Sequence, residues 1–159
     1  MQTGLSEDFL LNIATIAITL IGFSGVVTAL EHRGSERWTS AALLQFRTLV
    51  EPSIIVFFAA FVPLVLSYGG IAGEPLWRIS NAVLLVGHLL GISLFWFRGV
   101  KAQVTLSQKF ITFLCLPIFL FLLASVLGLT SHHAPAMAVG LLLGIGVSVH
   151  NYYLLLFQD

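Results

Sequence analysis

Residues 9–30 read FLLNIATIAITLIGFSGVVTAL, with no charged side chain among them. A hydrocarbon layer about 30 Å thick takes roughly 20 residues of helix to cross, and a helix satisfies its own backbone polar groups there. The stretch therefore predicts a membrane-spanning helix. Four more apolar runs of similar kind follow, at about 52–68, 76–97, 107–129 and 135–157. The predicted fold class is all-α: a single transmembrane domain over 1–159, built as an integral membrane bundle of about five helices.

Composition agrees with that reading. The chain has 159 residues, 58% hydrophobic and 9% charged, with a mean hydropathy of +1.01, whereas soluble domains carry about 25% charged residues. Seven basic and seven acidic side chains cannot cover the surface of a 17.3 kDa sphere, so the apolar excess is expected to face lipid. Glu7 and Asp8 stand before the first run where a secretory signal carries basic residues, so that run is expected to be retained as a span.

Basic residues set the expected orientation. Arg33, Arg37 and Arg47 fall in the first connection and Arg98, Lys101 and Lys109 in or beside the third, with Arg78 alone near the second. Positive charge stays on the cytoplasmic side. The N-terminus is then outside and the C-terminus inside, in a bacterial inner (plasma) membrane. Tyr68 and Trp77 fall at the outer interface, and Trp38, Trp96, Tyr152 and Tyr153 at the inner one. Between the first two spans, Trp38 to Arg47 reads as a short amphipathic helix at about 39–50, lying along the cytoplasmic interface and ended or kinked by Pro52. Pro52, Pro75 and Pro135 mark helix starts, and Ser107 is a candidate cap.

Balanced charge leaves no footprint for nucleic acid. Cys115 is the only cysteine, which excludes an intrachain disulfide or a cysteine cluster. Adjacent His132 and His133 project apart and lack acidic or thiol companions, so neither a metal nor a cofactor is expected.

Within the spans, small residues and isolated polar ones carry the information. Ala136, Gly140, Gly144 and Ser148 recur every fourth position, and Gly87 and Gly91 form a shorter pair; both are close-packing faces, expected to serve within a subunit or between copies in a homo-oligomer. Asn12, Thr15, Thr19 and Gly22 make a polar to small stripe on the first helix, which suits pore lining or hydrogen bonding between helices. Charge in hydrocarbon is costly and usually retained for a use. His88 falls near the middle of the third span. Arg47 and Glu51 stand four apart, spaced to pair with each other, and with His150 and Asn151 they form a candidate cluster in the inner leaflet. Pro63 and Pro117 are expected to kink the second and fourth spans.

The first span resembles, through Ile16 to Ala29 with its Ile-Gly-Phe-Ser-Gly-Val-Val core, a family of small uncharacterised bacterial polytopic inner-membrane proteins; the basic loop, Trp38 and Arg47 to Pro52 extend the likeness. That resemblance implies the membrane location and no particular activity. Arg47 and Glu51 are also similar in type to the residues that open the second helix of the membrane-associated eicosanoid and glutathione enzymes, although the asparagine between them is missing here and a fifth span departs from that four-helix fold. Without a soluble domain, catalytic motif or metal cluster, the expected function is an oligomeric pore or transporter for an ion or small solute. A membrane-embedded enzyme acting on a lipid or thiol, and an accessory subunit of a larger complex, are the alternatives. Besides further copies of the chain, the expected partner is the lipid bilayer.

Overall fold

The computed structural model describes residues 5–31, 40–99 and 106–156. These form five helices and no strand: α1 (Glu7–Glu31), α2 (Ser40–Tyr68), α3 (Glu74–Gly99), α4 (Leu106–Val126) and α5 (His133–Leu156). By length and composition four of them, α1, α2, α3 and α5, are fit to cross a membrane; the apolar run Phe113–Val126 of α4 is shorter. Residues 32–39 and 100–105 lie outside the described residues, and with them Arg33, Arg37, Trp38, Thr39 and Lys101, as do the side chains of Ser107 and Lys109.

The helix ends follow local chemistry. Ser6 Oγ accepts from the Phe9 amide at 3.1 Å and caps α1, whose first turn carries Glu7 and Asp8 beside the positive end of the helix dipole. Two helices finish on a left-handed glycine. After α2, Ile71 N–H bonds Leu66 O and Gly70 N–H bonds Ser67 O, at 2.9 and 3.0 Å, with Gly70 at φ 82°. After α4, Leu129 N–H bonds Ala124 O and Gly128 N–H bonds Ser125 O, at 2.8 and 3.1 Å, with Gly128 at φ 73°. Both are the paired closure that a residue without Cβ makes inexpensive.

One boundary differs from expectation. No separate interfacial helix spans 39–50; Ser40 to Tyr68 is one continuous helix with Pro52 and Pro63 inside it, so Pro52 does not begin a helix. Leu44, Leu49, Ser53 and Val56 are all buried on both sides of Pro52. Packing along that whole length outweighs the roughly 3 kcal/mol that an interior proline costs a helix.

α5 is the central helix, touching α1, α2, α3 and α4, whereas α1 touches only α2 and α5. The core runs through Leu10, Ile13, Ala14 and Ala17 of α1, Val56, Ala59 and Ala60 of α2, Leu84 and Leu85 of α3, Leu122 of α4, and Ala136, Met137 and Leu141 of α5. A helix surrounded by four others needs a thin waist. Ala136, Gly140, Gly144 and Ser148 are all buried on α5 and supply it. A Cβ on Gly140 would stand 2.7 Å from Leu84 Cδ2, and one on Gly144 would overlap Val56 Cγ2. Gly87 has the same relation to Ile55, at 2.7 Å. These small-residue faces pack inside the chain. Around them the exterior is apolar, with Phe58, Val65, Phe97, Phe113, Leu114 and Leu129 each more than half exposed, which fits lipid rather than water.

Candidate functional site

Between α2, α3, α4 and α5, toward the Arg98 end of the bundle, lies a cavity of about 80 Å³. One end is polar: Arg47, Thr48 and Glu51 from α2, Arg98 from α3, and His150 and Asn151 from α5. The body is apolar, formed by Ile55, Ile92, Phe95, Phe119, Leu143 and Val147, with Cys115 also in the wall. His88 and Gly144 line the deep end.

At the mouth, Glu51 is ion-paired to Arg98. The sequence spacing suggested Arg47 as its partner, and the structure corrects this. Arg98 sits in the last turn of α3, where the negative end of the helix dipole also favours a cation. Glu51 gains no such help, because α2 begins at Ser40 and position 51 is well inside the helix. Both members of the pair keep 30% of their side-chain exposure. Arg47 is exposed and has no hydrogen-bond or ion-pair partner among the described residues. Among the described lining residues, two arginines stand against one carboxylate.

The deep end is held by backbone. His88 is 7% exposed and its Nδ1 lies 2.9 Å from Leu84 O. A carbonyl only accepts, so Nδ1 carries the proton and Nε2 presents its lone pair. That Nε2 is buried with no hydrogen-bond partner, and a Cβ built on Gly144 would lie 3.2 Å from it. Phe119 meets the imidazole edge to face, with ring centroids 5.8 Å apart. His150 Nε2 is likewise buried and unpartnered, and Asn151 Nδ2 donates to Val147 O at 2.9 Å. Across the seam between α2 and α5, the hydroxyls of Ser53 and Ser148 meet at 2.9 Å, fixing the helices that carry Glu51 and Asn151.

Arg47, Glu51, His150 and Asn151 line one cavity together with Arg98, Thr48 and His88. Arg98 reads in the sequence as a loop cation; its place on the last turn of a long helix is the signal that assigns it to the mouth. Asn12, Thr15 and Thr19 are elsewhere. All three are exposed on α1, which has no contact with α3 or α4. The Thr15 and Thr19 hydroxyls donate to Leu11 O and Thr15 O at 2.8 and 2.7 Å. This stripe and His88 do not share a path through the fold.

A second polar network, which the sequence did not reveal, lies at the opposite end. Asn81 Nδ2 donates to Ser125 Oγ at 2.7 Å and to His133 O at 2.8 Å, and Ser125 Oγ stands 2.9 Å from His133 Nδ1. His133 is buried while His132 is exposed, as adjacent residues pointing apart require. His133 Nε2 lies 3.7 Å from Glu74 Oε1, and Arg78 Nε donates to Val126 O at 3.0 Å. With Asn81 and Ser125 fully buried, this network ties α3, α4 and α5 together.

Comparison of the chain with protein-family models, with curated proteins and with solved structures finds no match.

Proposed function

We propose that the protein is a membrane-embedded binding site for an amphiphile with an acidic headgroup, a fatty acid or a lipid of similar form, and that it acts as a carrier for that molecule. One observation carries the reading: an apolar cavity opens between the helices at a mouth where Arg47, without a partner among the described residues, stands beside the Glu51–Arg98 pair. Apolar walls take the tail, and the excess cation takes the head. In this reading the chain crosses a bacterial inner membrane five times, with the N-terminus outside and the Arg98 end at the cytoplasmic interface, where an anionic headgroup lies naturally beside arginine.

Carriage is preferred to a continuous pore because the intramembrane polar groups gather at a cavity among four helices, while the threonine stripe of α1 faces away from it. Binding is preferred to catalysis because the cavity wall is mostly apolar, with Ile55, Ile92, Phe95, Phe119, Leu143 and Val147, and its charged side chains gather at one end, the arrangement an amphiphile fits. The test is equilibrium binding to the purified protein in lipid nanodiscs, with oleate, oleyl alcohol and oleylamine as probes. Oleate is expected to bind at least tenfold more tightly than either neutral or cationic analogue; equal binding of all three overturns the proposal.

A further inference from the structure

From the deep end of the same cavity we infer that the preferred ligand carries a hydrogen-bond donor, a hydroxyl above all, within its apolar part. The inference rests on the amphiphile reading and adds to it a chemical feature that the charged mouth does not specify. His88 is held by Leu84 O in the tautomer that leaves Nε2 as an acceptor. That nitrogen is buried without a partner and lies 3.2 Å from where a Cβ on Gly144 would stand, both residues being part of the cavity wall. A buried acceptor left unmet costs free energy that a bound donor recovers. Neighbours do not supply the donor: Phe119 offers a ring, Ile55 and Leu143 are aliphatic, and the Ser148 hydroxyl donates to Gly144 O at 3.0 Å.

Depth fixes where on the ligand the donor belongs. With the headgroup at Arg47 and Arg98, His88 lies about 15 Å further in along α3, a distance that falls beyond the midpoint of a long extended acyl chain. A hydroxyl next to the carboxylate stays at the mouth and does not reach Nε2. The site therefore selects for position as well as for the presence of a donor.

Oleate and ricinoleate form the test pair, since they differ by one hydroxyl well down the chain; stearate and α-hydroxystearate form the control pair, with the hydroxyl at the head. Binding of all four is measured on the full chain in nanodiscs, for the unaltered protein and for His88→Phe and His88→Gln. Ricinoleate is expected to bind the unaltered protein about tenfold more tightly than oleate, the worth of one net buried hydrogen bond, with no comparable gain in the control pair. His88→Phe is expected to abolish the ricinoleate advantage, read as the ratio of ricinoleate to oleate affinity within the same variant, and His88→Gln, which keeps an acceptor oxygen, to restore part of that ratio. Equal affinity for oleate and ricinoleate, or an equal gain from the hydroxyl at the head, overturns the inference while the amphiphile reading stands. Failure of every acid to bind overturns both. If His88→Phe does not fold, the comparison of the two pairs on the unaltered protein decides the matter alone.

Discussion

Glu51 of α2 pairs with Arg98 of α3, 47 positions along the chain, although Arg47 stands only one helical turn away. The consequence is a division of labour between two arginines at one mouth. Arg98 joins two helices, and Arg47 remains available to an incoming anion. Arg47→Ala is expected to change stability by less than about 0.5 kcal/mol, as for a surface residue, and to weaken binding of oleate by tenfold or more, the loss of a hydrogen bond between charged groups. Thermal unfolding in detergent and nanodisc binding separate the two effects.

Glu51→Ala and Arg98→Ala are expected each to cost about 1–2 kcal/mol, between the limits for exposed and buried ion pairs. The double substitution should cost much less than the sum, because the second change removes a charge that the first has orphaned. Additive losses, measured as shifts in the unfolding midpoint, would show that the two side chains are not coupled.

Gly144 and Gly22 predict opposite outcomes for the same substitution. Gly144→Ala places a methyl group against Val56 and His88 and is expected to destabilise the fold by about 1–3 kcal/mol. Gly22 has nothing within 4 Å of a Cβ, so Gly22→Ala should be neutral or stabilising by about 0.5–1 kcal/mol through the helix preference of alanine over glycine. Unfolding of the two variants in the same detergent checks the direction of each.

The Asn81, Ser125 and His133 network is expected to behave as a unit. Asn81→Ala should lower stability by about 1–3 kcal/mol by leaving buried acceptors unmet, and adding Ser125→Ala should cost less than it does alone. A double-mutant cycle measures the coupling. Independent effects would mean that the three side chains do not act together.

These contrasts show what the sequence made legible. Long uncharged runs set the helices, whereas the left-handed glycines at 70 and 128 that end two of them are seen only in the structure. The four-residue interval on α5 identified a close-packing face, but periodicity names a face and not its partner. In a bundle whose outside is as apolar as its core, polarity does not distinguish inward from outward. For that reason α5 reads equally well as an interface between copies and as the waist of one subunit, and the exposed stripe of α1 reads as a lining. Pro52 misleads in the same way: its local cost is visible in the sequence, whereas the packing of Leu49, Ser53 and Val56 that offsets it is a tertiary matter. The cluster at the mouth was legible from depth, but the exchange of Arg47 for Arg98 as the partner of Glu51 required the second helix.

Photolabelling with a fatty acid that bears a diazirine in its acyl chain tests most directly whether the cavity holds an amphiphile's tail. Mass spectrometry of the labelled protein in nanodiscs is expected to place adducts on cavity residues such as Ile92, Phe119 and Leu143, in competition with unlabelled oleate and diminished in Arg47→Ala. Adducts confined to outward residues such as Phe97, Phe113 and Leu120, unaffected by competitor, would contradict the account.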